Sequence, residues 1–408
     1  MGHVLWLRAS LFTAGAVGAA LLAQVLGPLV PRSLVDFVGE KPAEELLKVM
    51  ASSMLAVATF SLTAVVAAAG SITSNASPRA AALLLEDKAA QSALSTFVAA
   101  FIFSIVGLIA LGTGLYDAPA RFVLFCATLA VLALVVIRLL GWMDRVSRMG
   151  RVGAAVDQVE RALTDSLRRR KPFLGARPAD DAASGAPLLP EKVGYVQHID
   201  VGRLDAVARR RGLQIHIRVL PGAFVRLSTP VLLVEGVEAI GEDVASALRA
   251  AVLVGGRRTY QQDPRFGLVM LAEIASRALS PALNDPGTAI DVIGTAARVL
   301  SVWGERHWEE EEAPQPEYRR VTAPGLSAAD CFDDVFSPIA RDGAGFVEVG
   351  VALQKTLADL GRSGAAGFSE AARRHAARAL RLAARASLLP EDLQLLKDLA
   401  AAGETSPT

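Results

Sequence analysis

The sequence predicts a multi-pass α-helical membrane domain of four helices followed by a cytosolic α+β region, made of a small mixed α/β module and a helical bundle. Three observations predict it. Two uncharged apolar runs, 51–70 and 92–111, are separated by a short polar hinge, and each has about the twenty residues that a helix needs to cross a hydrocarbon core of about 30 Å. Two further apolar runs, 5–30 and 121–142, flank that pair. The 408 residues are 52% apolar and 20% charged, too apolar for an average soluble domain and too charged for a chain lying wholly in lipid.

The expected divisions are 1–145 for the four-helix transmembrane domain, 146–190 for a basic stalk helix and Pro/Ala/Gly linker, 191–237 for the α/β module, 238–403 for the helical domain, and 404–408 for a disordered tail. The run 5–30 is longer than the core of a signal peptide and reads as a retained first helix. The loop 31–48 mixes Arg32, Lys41 and Lys48 with Asp36, Glu40, Glu44 and Glu45. The hinge carries Pro78 and Arg79, then Glu86, Asp87 and Lys88, and is short enough to force an antiparallel hairpin. A tight turn at 114–119 leads into the fourth run.

From the last turns of that run onward come Arg138, Arg145, Arg148 and Arg151, then 168–171. Positive residues near a membrane helix stay cytoplasmic, so the C-terminal side is expected inside. Four crossings put the N-terminus and the hinge inside too. Apolar positions Val146, Val152, Val156, Val159 and Leu163 continue a helical pattern to about residue 170, a stalk along or below the membrane surface, and 171–190 reads as a linker. Short β-branched runs at 194–199, 213–219 and 231–234, with a helix at 203–211 and the turn Pro221-Gly222, make the α/β module. From 238 onward the pattern is helical, with starts at Asp263-Pro264, Asp285-Pro286 and Pro390-Glu391-Asp392.

Catalytic and metal motifs are not found. The five histidines are dispersed, the two cysteines, Cys126 and Cys331, lie far apart, and no phosphate-binding loop or nucleophile elbow occurs. The chain is expected not to be an enzyme and to need no metal or cofactor. A net charge of +1 gives no bulk attraction to nucleic acid; the expected partners are the lipid bilayer, further copies of the chain and a small anionic ligand.

Two sets of residues carry the functional expectations. Arg257, Arg258 and Arg265, with Gln262 and Asp263 beside a glycine pair and a helix start, form the densest polar motif. They could hold an anion by bidentate hydrogen bonds and helix dipole, or Asp263 could cap its helix while the arginines pair with acids such as Asp285 or Glu273. Asn284 and Asp285 belong to a rigid turn between two helices. In the membrane, Thr59, Ser61, Thr63 and Gly70 make one helix small and mildly polar. Such a face packs against another helix, or lines a water-filled path if several chains assemble. The lack of ionisable residues away from the helix ends disfavours a proton-coupled transporter.

The run Gly256-Arg257-Arg258-Thr259 with Gln262-Asp263 and Phe266-Gly267, then Ala278-Leu279-Ser280-Pro281-Ala282-Leu283-Asn284-Asp285-Pro286 and Thr288-Ala289, resembles the signature of the bacterial membrane-protein family called domain of unknown function 2254. The resemblance extends through 194–200, 221–225 and the hinge Ser77-Pro78-Arg79 with Asp87 and Gln91. At 227–230 this chain has Leu-Ser-Thr-Pro where the family pattern has a glycine before the proline. It implies architecture and location, not activity. The expectation is a homo-oligomeric ion or small-solute channel with a cytosolic regulatory or assembly domain. The alternative is a membrane-anchored sensor or scaffold whose arginine motif binds an anionic ligand or a partner.

Overall fold

The computed structural model describes residues 14, 15, 18, 41–85, 88–114, 116–148, 150–168, 176–178, 184–311 and 317–405. The expected first crossing, 5–30, falls outside these residues but for 14, 15 and 18, as do most of the loop 31–48 and Glu86 and Asp87 of the hinge. The described chain forms two compact units, Met1–Ser74 with Ala81–Ala154, and Asn75–Ala80 with Ala155–Thr408.

In the first unit, three helices among the described residues are long and apolar enough to cross a membrane. They are α1 (Lys41–Asn75), α3 (Lys88–Gly112) and α4 (Ala118–Arg148), with the short α2 (Pro78–Leu85) after the hinge. The expected start of α1 at residue 51 is corrected to Lys41. Glu44 and Lys48 pair one turn apart on the outside, while Ala43, Leu47 and Met50 extend the buried stripe, so the charges do not end the helix. At 35 residues, α1 is about 52 Å long at about 1.5 Å per residue, longer than a bilayer core.

Helix α3 shares buried clusters with both of the others. Its Phe97 and Phe103 are fully buried. Phe97 shares one buried cluster with Met50, Met54 and Ala58 of α1 and Val135 and Trp142 of α4. Gly107 is needed for the approach of Leu47, since an added Cβ would stand 3.0 Å from the Leu47 Cδ1. The chain turns after α3 through Gly114 at φ +71°, and Asp117 accepts from the Ala120 N–H at 3.0 Å to open α4. The large side chains Leu55, Phe60, Leu62 and Val66 on α1 and Ile137, Leu140 and Met143 on α4 point outward, as lipid solvation allows.

The expected continuous helix from 142 to 170 is broken. Gly150 takes φ +86°, its carbonyl accepts from the Ser71 Oγ at 3.2 Å, and α5 (Val152–Arg168) starts afresh. Val156, Val159 and Leu163 are buried within the second unit, and Arg298 grips Glu160 with two hydrogen bonds, at 3.0 and 2.8 Å.

The second unit starts with two sheets. The five-stranded one has the order β1-β8-β4-β6-β2 and the three-stranded one β5-β3-β7. Their strands are β1 (Ala176–Pro178), β2 (Ala186–Leu188), β3 (Gly194–Ile199), β4 (Gln214–Ile217), β5 (Phe224–Val225), β6 (Leu232–Glu235), β7 (Val252–Gly255) and β8 (Tyr318–Ala323). Helices α6 (Val201–Arg211) and α7 (Glu242–Arg249) pack on them. The segment 171–190 thus supplies two strands, not a bare linker. Pro178 and Pro187 fit because β1 and β2 are the edges of their sheet, where a missing N–H is tolerated.

The module also reaches beyond the expected 191–237. β7 pairs antiparallel with β3, and β8 pairs parallel with β4 from a point 106 residues away, so the region 238–403 is not purely helical. Val196, Ile199, Leu204, Ile215, Leu232, Val234 and Val321 make one buried core. Asp200 caps α6 by accepting from the Arg203 N–H at 2.9 Å. At 226–229, Thr229 closes the turn through its Oγ1, which accepts from the Arg226 N–H at 3.2 Å.

Six helices complete the unit: α8 (Pro264–Ala278), α9 (Pro286–Glu311), α10 (Ala328–Asp342), α11 (Val347–Gly361), α12 (Phe368–Ala383) and α13 (Pro390–Thr405). The last reaches into the expected tail, and 406–408 lie outside the described residues.

Candidate functional site

The residues singled out at 255–267 form the seam between the three-stranded sheet and α8. Strand β3 loses its neighbour β5 beyond Val196, whose N–H still donates to the Ala223 carbonyl at 2.9 Å. Further along, the Gln262 amide takes the place of a strand. The Ile199 N–H donates to Gln262 Oε1 at 2.9 Å, and Gln262 Nε2 donates to the Ile199 carbonyl at 3.3 Å. Gln197 Nε2 donates to the Arg257 carbonyl at 2.7 Å, tying the loop back to the strand.

Asp263 caps α8, accepting from the Phe266 N–H at 3.1 Å, and takes a two-point grip from Arg258 at 2.8 and 3.1 Å. The same guanidinium lies 5.0 Å from the centre of the Phe266 ring. Burial pushes the Asp263 carboxyl up, and the Arg258 guanidinium pulls the other way. Gly222, at φ +96°, presses its backbone against this carboxylate; a Cβ there would meet Asp263 Oδ2 at 2.1 Å. Arg265 reaches α10, where it bonds Asp334 at 2.6 and 3.1 Å and Asp330 at 2.6 Å. Hydrogen bonding to Asp334 holds the Arg265 guanidinium above its ordinary value.

The motif is therefore architectural in two of its three arginines. Their partners are Asp263, Asp330 and Asp334 rather than the expected Asp285 and Glu273. Arg257 is different: its side chain is exposed, and its carbonyl does the tying. Asn284 adopts φ 50°, the one positive value outside glycine among the described residues. It lets the Asp285 N–H close back on the Ala278 carbonyl at 2.8 Å. Asp285 then caps α9 through the Thr288 N–H and hydroxyl at 3.1 and 2.7 Å, and Thr288 holds its carboxyl below the ordinary value. These bonds make 280–286 a rigid corner.

Glu273 has another task. The hinge Asn75–Ala80 belongs to the second unit. Within it Pro78 opens α2 and Ser77, 2% exposed, donates to Glu273 Oε2 at 2.9 Å while accepting from the Arg79 N–H at 3.1 Å. Arg79 pairs with the same carboxylate. Helix α8 is thus tied at its start to the sheet, through Arg265 to α10, through Glu273 to the hinge, and to α5 at Gly267, where a Cβ would meet Leu163 Cβ at 2.8 Å. The spacing of Asp330 and Asp334, one turn apart on one face, was legible as a receptor for a guanidinium. Which one was not, because 65 residues separate Asp330 from Arg265.

On α1 the expected small-polar face divides. Thr59, Thr63 and Gly70 are exposed together, whereas Ser61 is buried on the other side with no hydrogen-bond partner for its Oγ among the described residues. Helical geometry requires this, since residues four and eleven positions apart share a face and residues two apart do not. The Thr59 and Thr63 hydroxyls donate to the Leu55 and Thr59 carbonyls, each at 3.0 Å.

A hydroxyl, an imidazole and a carboxylate also meet in the sheet, with His216 Nδ1 2.8 Å from Thr322 Oγ1 and Nε2 3.1 Å from Glu235 Oε2. A nucleophile needs the hydroxyl open and the acid enclosed. Here Thr322 is buried and the Glu235 side chain is 58% exposed, so the trio ties strands together.

No solved structure matches the chain. Uncharacterized protein Mb1321c of Mycobacterium bovis and uncharacterized protein Rv1290c of Mycobacterium tuberculosis are each 35% identical to it over 140 residues, 32% of this chain and 26% of theirs. The chain thus spans about a quarter of the length of the curated relatives it matches. Residues 3–359 match the family described as "Predicted membrane protein (DUF2254)", and the chain belongs to that family of membrane proteins.

Proposed function

We propose that the protein is a homo-oligomeric channel of the bacterial inner membrane, without catalytic chemistry of its own, that passes an ion or small solute. The α1 helices of several copies surround the path, and the second unit, in the cytosol, acts through the hinge as a regulatory or assembly domain. The observation that carries this reading is the division of α1. Its apolar residues Met50, Met54 and Ala58 are buried in the chain's own core, which leaves Thr59, Thr63 and Gly70 outward beside the exposed Leu55, Phe60, Leu62 and Val66.

Two observations support the arrangement. The hinge belongs to the second unit, which fits a pair of crossings, α3 and α4, returning the chain to one side. Arg145 and Arg148 lie in the last turn of α4 and Arg151 follows it, and such charges favour the cytoplasmic side.

A membrane-anchored scaffold is the second reading, favoured by the bonds of Thr59 and Thr63 to their own backbone, which let the face pack dry. The saturated Arg258 and Arg265 take the anion site away from that scaffold's main motif. Conductance of purified protein in planar bilayers separates the readings. The channel reading expects a unitary conductance that falls several-fold with Thr59→Leu and Thr63→Leu while the oligomer persists. Conductance indifferent to both changes removes the pore assignment, and an intact assembly with none leaves the scaffold.

A further inference from the structure

One arginine of the first unit stands where a cation needs a counter-charge. Arg138 belongs to the apolar stretch of α4, about 30 Å of helix rise beyond Ala118, which brings it to the far edge of a hydrocarbon core of about 30 Å. Its side chain is exposed and has no ion pair or hydrogen bond among the described residues. A guanidinium at that depth is expensive unless it meets an anion or water. It cannot be relieved by turning the helix inward. Val135 and Trp142 are buried in the core of the unit, and a rotation that buried Arg138 would expose them.

The surroundings of Arg138 have two characters. Leu134, Arg138, Gly141, Arg145 and Arg148 recur at intervals of four and three and so form one stripe along α4; all of them are exposed. Towards the middle of the helix the stripe is apolar, with Leu134 at 41% exposure and Ile137 beside it at 68%. Towards the helix end it is cationic, since Arg138, Arg145 and Arg148 face the single carboxylate of Asp144, which Arg148 already engages. At Gly141 an added Cβ would meet nothing within 4 Å, so the stripe has an open notch between Arg138 and Arg145.

A free anion satisfies only the charged end of such a stripe, and a neutral lipid only the apolar end. We propose that the stripe holds one anionic phospholipid, with its phosphate in the notch at Gly141 between the Arg138 and Arg145 guanidinium groups and an acyl chain along Leu134 and Ile137. Basic side chains at the end of a membrane helix recognise anionic headgroups, and the planar fork of arginine suits two oxygens of one phosphate. The proposal needs α4 to lie in a bilayer and does not rest on the channel reading.

The test uses the full-length protein, stripped of lipid in a neutral detergent and titrated with dioleoyl phosphatidylglycerol, with phosphatidylcholine of the same chains and with inorganic phosphate, while lipid adducts are counted by native mass spectrometry. The expected result is saturable binding of phosphatidylglycerol, one molecule per chain, about tenfold or more tighter than that of phosphatidylcholine. Arg138→Gln should weaken it about tenfold, and so should Gly141→Leu, which fills the notch without changing the charge. Arg138→Lys keeps the charge but loses the fork, and should fall between. Arg373→Gln removes an exposed charge from the second unit and should leave the affinity unchanged. All three positions are exposed, so the variants keep the fold. Equal affinity for the two lipids overturns the proposal, as does affinity unchanged by Arg138→Gln or by Gly141→Leu. An equal loss with Arg373→Gln, or displacement of phosphatidylglycerol by inorganic phosphate, overturns it too.

Discussion

Replacement of Gln262 by leucine tests whether a side chain serves as the missing strand beside β3. Leucine matches glutamine closely in volume, so packing is kept and the effect isolates the polar ends. Both hydrogen bonds to Ile199, at 2.9 and 3.3 Å, vanish, and the residue they serve is 1% exposed. Each buried backbone group left unpaired costs about 1–3 kcal/mol, so the two together cost the seam about 2–6 kcal/mol. Hydrogen–deuterium exchange of the full-length protein in detergent reads this locally. At about 1.4 kcal/mol per tenfold, amides of the peptide covering β3 should exchange at least tenfold faster. Arg257→Ala is the control, because only the carbonyl of Arg257 joins the seam. A Gln262→Leu protein as protected as the wild type, or an Arg257→Ala protein equally disturbed, would refute the reasoning.

Gly222→Ala places a Cβ 2.1 Å from Asp263 Oδ2 at a backbone φ of +96°; strain and a displaced cap together should cost about 3 kcal/mol or more, seen as a lower denaturation midpoint. Arg265→Leu leaves Asp330 and Asp334 facing each other without their shared cation, and a loss of about 1–3 kcal/mol is expected, largely restored when both aspartates are also changed to asparagine. Burial beside Phe332 and Phe336 lowers His375 to about 4, and its Nε2 lies 3.1 Å from Asp333 Oδ1 without a hydrogen-bond geometry. With a folded value below the unfolded one of about 6.5, the neutral ring stabilises the fold fully above pH 6.5. That stability, at most about 3 kcal/mol, is lost as pH falls toward 4. A His375→Phe variant should show a flatter stability profile over that range.

Hydropathy alone located the apolar crossings at 51–70, 92–111 and 121–142, because lipid solvates a helix only when nearly every side chain is apolar, and that requirement is written locally. The helix starts at Asp263, Asp285 and Pro390 were legible for the same reason: a cap acts within three residues. The charges at Glu44 and Lys48 concealed the true start of α1, since polar residues on one face do not interrupt a helix whose other face is buried.

What only the tertiary structure decided lies between distant segments. Strands β7 and β8 are four and six residues long, and their pairing with β3 and β4 draws on positions far away in the chain, which no local period records. The partners of Arg265 and the grip of Glu273 on the hinge are of this kind. A carboxylate, a guanidinium or an amide carries the same chemistry wherever it stands, and distance in space, not order in sequence, chooses its partner. Local periodicity thus determined which segments are apolar enough to meet lipid and where the capped helices begin, while packing decided that the arginine motif is a joint and that Thr59 and Thr63 of α1 are exposed among the described residues.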